Sequence, residues 1–203
     1  MTLVRCWQSK DPLYDVYHDE EWGRPVRDER GLYERLCLEG FQSGLSWLTI
    51  LRKRDNFRRA FHNFDAAKIA RYTQKDIDRL MADAGIVRNR LKIEATIDNA
   101  KAYLELRKKT TLAAFLWSFI EKPSAGAAYT TMKQLPAETE LSKRISKALK
   151  KEGFRFVGPT TMYAFMQASG MVNDHVIGCP RHAACAKLQR AFKRPQAGDA
   201  SAS

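Results

Sequence analysis

Apolar residues recur along this chain at intervals of three and four, the period of a helix that buries one face. Leu32, Tyr33, Leu36 and Cys37 form one such stripe, and Phe57, Ala60, Phe61 and Phe64 form another. Thr73 and Asp76 make a capping-box pattern ahead of Ile77, Leu80 and Met81, which predicts a short helix stopping at Gly85. Ile93, Ile97, Ala100 and Leu104 follow at intervals of four, three and four, and then Phe115, Leu116, Phe119 and Ile120. Pro123, Gly126 and Pro136 interrupt the period, so "EKPSAGAAYTTMKQLPAETE" reads as a connecting loop. Leu141, Ile145 and Leu149 predict a helix ending near Gly153, and Gly158 with Pro159 opens another through Met162, Phe165 and Met166. No stretch alternates as a strand would, and there are no internal repeats. The expected class is all-α.

Length and composition set the scale. With 203 residues, 44% hydrophobic and 10% aromatic, the chain suffices for one substantial core or two intimate lobes. It carries no 18-residue apolar run and no N-terminal apolar stretch of signal-peptide length, so a cytoplasmic protein free of the membrane is expected. The final "KRPQAGDASAS" lacks the apolar content to order itself. Cys37 sits inside an apolar stripe and reads as core.

The net charge of +12 makes a polyanion the first partner to consider, and nucleic acid is the usual one. From Ala186 onward, Lys187, Arg190, Lys193 and Arg194 against Asp199 supply only +3 of this, leaving +9 to the body. Part lies in "LSKRISKALKKEGFR", where a basic helix face equally fits ordinary solvated surface. The segment "DAGIVRNR" between two helices reads as a tight hairpin in which Gly85 takes positive φ. Backbone N–H groups opening the second helix, with Arg88, Arg90 and Lys92 around them, suit one DNA phosphate; an ordinary glycine-ended hairpin with exposed basic residues fits the same letters.

Two further groups carry candidate chemistry. Cys6, His18, His175 and Cys179 make a Cys2His2 set, the ligands of a closed, tetrahedral structural zinc, with about 155 residues between its two halves. A local site from His175, Cys179, His182 and Cys185 satisfies the same chemistry, and spacing leaves both open. Trp7, Tyr14, Tyr17, Trp22 and Trp47 crowd the first quarter of the chain, with Glu39 among them. Aromatic residues ordinarily build cores. A carboxylate in such company needs a partner if buried, however, and Gly40 and Gly44 would admit a flat ligand to the backbone. A flat, electron-poor ring stacked on Trp or Tyr, with its edge on a carboxylate, describes a damaged base flipped from duplex DNA.

With these residues in view, the chain resembles the bacterial DNA-3-methyladenine glycosylase I family from Arg5 to about Cys179. The matching stretches are "DPLYDVYHDEEWGRP", "LCLEGFQSGLSWLTILRKR", "DAGIVRNRLKI", "FLWSFI", "SKALKKEGFRFVGPTTMYAFMQASG" and "VNDHVIGC". The resemblance implies an all-helical, helix-hairpin-helix fold in two lobes, one from 1–30 and 159–186 and the other within 31–158. Residues 187–203 would be a disordered tail. It implies one structural zinc on Cys6, His18, His175 and Cys179 rather than the local site. It implies base binding by Glu39, Trp47, Tyr14, Tyr17 and Trp7, backbone gripping around Gly85, Arg88, Arg90 and Lys92, and Glu39 as the catalytic-site carboxylate. The activity implied is hydrolysis of the N-glycosidic bond of 3-methyladenine in double-stranded DNA by a monomer, leaving an abasic site. Cys6 and Trp7 are adjacent here, where the family commonly has a residue between them. No aspartate well beyond the hairpin stands out as the water-activating base of the wider superfamily, and Leu45 is a candidate wedge for the gap left by the base. A zinc-stapled DNA-binding protein without catalysis would explain charge, hairpin and metal, but would leave Glu39 without a task. A related glycosylase of shifted substrate range is the third reading.

Overall fold

The computed structural model describes residues 5–121 and 129–196, and among them there are ten α-helices and no strand. They are α1 Pro12–Glu20, α2 Glu29–Gln42, α3 Trp47–Ala60, α4 Ala66–Ile69, α5 Gln74–Ala82, α6 Arg90–Arg107, α7 Leu112–Trp117, α8 Glu140–Lys151, α9 Pro159–Ala168 and α10 Pro180–Ala191. Side-chain caps start most of them: Asp11, Asp28, Ser46, Asn89, Thr111 and Thr139 each accept from a backbone N–H of the first turn. The predicted capping box is present, with Asp76 Oδ2 accepting from Thr73 N at 2.9 Å and from its hydroxyl at 3.1 Å.

Helix α2 is the axis of the molecule. It packs against α3, α6, α7 and α9, and every residue from Leu36 to Phe41 is buried. The sequence stripe marks only one face of this helix; the structure surrounds it, which is why Glu39 has no solvent side to turn to. Gly40 is closely packed, since a Cβ there would stand 3.3 Å from the Phe156 Cβ. It therefore serves the approach of the 154–157 segment and not, as expected, that of a flat ligand. Gly44 takes φ +78° in the turn between α2 and α3, with open space around it.

Several sequence expectations change in the structure. The Phe57–Phe64 stripe is not one helix: α3 ends at Ala60, and His62, Asn63 and Phe64 take positive φ, which folds Phe64 back into the core. The expected loop holds a 3-10 turn at Met132–Gln134, while its 122–128 portion lies outside the described residues. The expected disordered tail from 187 is corrected. Helix α10 runs on to Ala191, Phe192 packs on Trp117 with ring centroids 4.4 Å apart, and the Arg194 guanidinium donates to the Ile120 and Glu121 carbonyls. Only Cys185, Ala186 and Gln189 of α10 are buried, too narrow and too small a stripe to read as a helix face. Residues 197–203 lie outside the described residues.

The N-terminal segment is locked onto the end of α9. Gly23 N donates to Gln167 O and Val26 N to Ser169 O. Gly170, at φ +65°, lies so close that a Cβ would be 2.2 Å from the Arg24 carbonyl carbon. This docking brings α1, α2, α3 and α9 around one cavity.

Candidate functional site

A cavity of about 160 Å³ opens between these helices, lined by Trp7, Tyr14, Tyr17, Trp22, Glu39, Gln42, Trp47, Met132, Ala164 and Gln167. Five aromatic side chains make its walls. Trp7 lies 5.0 Å from Tyr14 and 4.9 Å from Trp22, ring centre to ring centre, and Tyr17 lies 5.4 Å from Trp47. The space suits one planar ring system, not a larger ligand.

Polar atoms inside it are unpaired. Glu39 is 3% exposed and its Oε2 has no hydrogen-bond partner; the Nε1 atoms of Trp7 and Trp47 are likewise buried and unmatched. Buried polar groups are ordinarily satisfied, and three orphans around one cavity mark a place for a ligand that supplies the missing partners. Burial pushes the Glu39 carboxyl up to about 8, with Arg35 only partly opposing this. Arg35 is occupied elsewhere, donating to Ala168 O and lying 3.8 Å from Glu21. Burial, reinforced by the Glu39 charge, holds the Tyr14 and Tyr17 hydroxyls above their ordinary range, so both stay protonated.

Every base-binding residue expected from the sequence thus lines the cavity, Trp7 included. Trp22, Gln42, Met132, Ala164 and Gln167 line it as well and were not singled out as base-binding. Gln42 sits one turn beyond Glu39 on α2, a spacing that identifies a shared face once Glu39 is chosen. Gln167 is a polar residue in an apolar helix. Met132 comes from an irregular segment and carries no sequence signal.

Behind the Trp7 and Trp22 walls stands the cysteine and histidine cluster. One ligand atom from each of Cys6, His18, His175 and Cys179 lies within 4.8 Å of all the others. Cys6 Sγ is 3.3 Å from His175 Nδ1, and Cys179 Sγ is 3.6 Å from His175 Nδ1 and 3.7 Å from His18 Nε2. A tetrahedron with bonds of roughly 2.1 Å to nitrogen and 2.3 Å to sulfur has edges of about 3.3–3.8 Å, a range that these three distances match, so the group could hold such an ion. The second nitrogen of each imidazole is engaged from outside. His18 Nδ1 lies 2.8 Å from Asp19 Oδ1 and His175 Nε2 lies 3.1 Å from Trp22 O, which makes both the donors and leaves His18 Nε2 and His175 Nδ1 to face inward. Hydrogen bonds from Cys6 and from both histidines hold the Cys179 thiol well below the usual thiol range, which favours the thiolate. The local alternative is not assembled: Cys185 packs against Trp22 O, and His182 Nε2 has no partner.

The hairpin differs from expectation. Gly85 does not take positive φ among the described glycines that do; its N–H donates to Asp83 Oδ1 at 2.7 Å, and a Cβ would meet Asp83 and Asn56. A larger residue there would have to displace these two side chains. Lys92 is the main correction. It is buried, and its Nζ donates to Phe41 O at 2.8 Å and to Ser43 O, so it caps the carbonyl end of α2 and has no free charge to offer a phosphate. Arg90 is half-exposed beside Asp78 and Glu94, whereas Arg88 is exposed. Leu45 is 43% exposed, in the turn that Lys92 secures.

Comparison with known proteins agrees with this geometry. A model of the methyladenine glycosylase family matches residues 7–182. The DNA-3-methyladenine glycosylase 1 of Escherichia coli (strain K12) is 51% identical over 179 residues, which is 87% of this chain and 96% of that protein. A crystal structure of 3-methyladenine DNA glycosylase I superposes with a TM-score of 0.84 at 48% identity, covering 87% of this chain and 98% of that one. A variant of a 3-methyladenine DNA glycosylase I in complex with 3-methyladenine superposes with a TM-score of 0.81 at 38% identity, over 85% of this chain and 93% of the other. With a family match over residues 7–182 and 51% identity to a curated relative over 87% of its length, the chain belongs to the methyladenine glycosylase family.

Proposed function

We propose that this protein is a DNA repair enzyme that hydrolyses the N-glycosidic bond of 3-methyladenine in alkylated DNA, releasing the free base and leaving an abasic site. The observation that carries the reading is the buried, unpartnered Glu39 carboxyl in an aromatic cavity the size of one base. Methylation makes the base in DNA cationic. In the empty cavity the carboxyl resists ionisation because nothing compensates the charge; a cationic ring beside it does so, and neutral adenine does not. Selection of the damaged base is therefore electrostatic, with Trp47 and Tyr17 offering stacking faces and Tyr14 and Trp7 completing the walls.

The chemistry asked of the protein is modest. A cationic base is already a good leaving group, so an ionised Glu39 near the sugar and access for water serve an oxocarbenium-like transition state without a strong general acid. No lysine lines the cavity among the described residues, and Lys92 is tied to α2 carbonyls, so no amine is placed to form a Schiff base and cut the strand. This supports a monofunctional reaction.

The finer features of the reading are a helix-hairpin-helix grip on duplex DNA by the 83–90 turn, with Arg88 and Arg90 as its phosphate contacts and Lys92 removed from that list, and Leu45 as the wedge. The acting form is a monomer with one glycosylase unit over 1–186, and its place is the cytoplasm. No helix among the described residues is long and apolar enough to cross a membrane. Cys6, His18, His175 and Cys179 would hold one zinc ion, which in a closed Cys2His2 site supplies structural stability and takes no part in the reaction.

The test is release of free base from alkylated duplex DNA by wild type and Glu39→Gln. Selective release of 3-methyladenine over 7-methylguanine, lost in the variant, is expected. Tight DNA binding with no base released would favour a non-catalytic binding protein.

A further inference from the structure

Two exposed leucines stand on turns that the fold ties together beside the base cavity. Leu45 is 43% exposed and Leu91 is 60% exposed, more than any other large apolar side chain among the described residues. A lone exposed leucine calls for no explanation. These two, however, are linked by hydrogen bonds between segments far apart in the chain. Lys92, next to Leu91, donates from Nζ to Phe41 O and to Ser43 O, two residues before Leu45. From α3, Lys53 Nζ donates to Ala84 O at 2.8 Å and Asn56 Nδ2 to Gly85 O at 3.2 Å, which secures the turn leading to Leu91. The α2–α3 turn and the start of α6 therefore form one surface, on which residues 43–46 and 88–91 are all exposed. Gln42 and Trp47, which bracket the first stretch, both line the cavity, so this surface adjoins it.

Charge and chemistry single out the occupant. Arg88 and Arg90 are exposed just ahead of Leu91, and an apolar tip flanked by cations suits a duplex, whose phosphates take the cations and whose stacked bases take the tip. Extruding one base leaves two things to cover: the gap in its own strand, and the base opposite that has lost its partner. We propose that Leu91 is a second wedge, which enters from the strand opposite the one that Leu45 fills and unstacks the orphaned base. This inference rests on the base-excision reading above and divides the work of base flipping between two side chains. Lys92 sets the spacing of the pair, because one ammonium group on α6 holds the carbonyls of the turn that carries Leu45.

The test uses a duplex with a tetrahydrofuran abasic site and 2-aminopurine opposite it, a base whose fluorescence rises on unstacking. Wild type should raise the emission on binding. Leu91→Ala, which folds normally because the side chain is exposed, should lose most of that rise and bind this duplex about tenfold more weakly. Leu91→Met restores an apolar tip of similar reach and should recover both. Free 3-methyladenine should bind wild type and Leu91→Ala equally, since the cavity is untouched. No rise with wild type, or full emission and affinity in Leu91→Ala, would overturn the proposal; so would a loss of free-base affinity equal to the loss on the duplex, which altered packing alone produces. No bond is cut in these measurements, so they decide the role of Leu91 even if wild type releases no base from alkylated DNA, the separate result that would sink the excision reading.

Discussion

Replacing Glu39 by glutamine should make the protein more stable at neutral and alkaline pH while removing its selectivity. The carboxyl titrates at 4.5 when unperturbed and at about 8 in the fold, because burial strips it of water. Between those values the folded state holds a proton that the unfolded state has lost, so stability falls as pH rises through that window. At about 1.4 kcal/mol per pH unit, the cost is about 3 kcal/mol at pH 7 and about 5 kcal/mol above pH 8. Glutamine has the same shape with no proton to give up, and so escapes this penalty. Denaturant titrations at pH 5, 7 and 8.5 on both proteins test the reasoning, since every other ionisable group is shared and cancels. Near-equal stabilities at pH 5 should diverge in favour of Glu39→Gln by a few kcal/mol at pH 8.5. Parallel pH profiles, or a variant less stable at pH 8.5, would refute the claim that an uncompensated carboxyl sits in this cavity. The site would then be an ordinary polar packing position, not one held in readiness for a cation.

Two other substitutions probe the frame around it. Cys179→Ser should reduce bound zinc from one equivalent to near none and lower stability by several kcal/mol; a wild-type unfolding midpoint indifferent to a strong chelator would sink the staple. Lys92→Met removes a buried donor from Phe41 O and Ser43 O, and should cost about 1–3 kcal/mol in stability while leaving the salt dependence of duplex binding unchanged. A reduced salt slope without a stability loss would restore Lys92 as a phosphate contact.

Much of this fold is legible in the sequence where a helix buries one face. The Ile93, Ile97, Ala100 and Leu104 spacing and the Thr73 and Asp76 box describe α6 and the start of α5 as they stand. Helix α2 shows the limit of that reading, because its stripe is legible only in the first half; from Leu36 to Phe41 it is enclosed on all sides and has no polar face to mark its period, and the most important carboxylate lies there. Lys92 fails for a related reason: a lysine next to two arginines reads as part of a basic patch, and only the tertiary meeting of α6 with the end of α2 turns it inward. The left-handed run at His62, Asn63 and Phe64 occurs at residues with no glycine signal, so tertiary packing of Phe64 overrides local preference. At the cluster, residue chemistry supplies the ligand types, whereas choosing Cys6 and His18 over His182 and Cys185 depends on the docking of the 22–26 segment on α9.

That docking sets an order on the making of the molecule. Trp7 follows Cys6 directly, and its ring stands edge-on to His18 at 4.7 Å and to Trp22 at 4.9 Å, while Trp22 rests edge-on against His175 at 4.6 Å. The wall of the cavity encoded early is thus propped, through Trp22, by a histidine encoded much later. During synthesis from the N-terminus, α1 to α8 are made, and the earliest of them can begin to pack, before Asp174, His175 and Cys179 exist. A chain interrupted before His175 would carry Glu39, Trp47 and the hairpin, yet lack the prop that holds Trp22, and through it Trp7, in place. Competence to hold a base is therefore conferred only once the segment carrying His175 and Cys179 has been made, and a chain that stops short of it has no complete pocket with which to occupy damaged DNA.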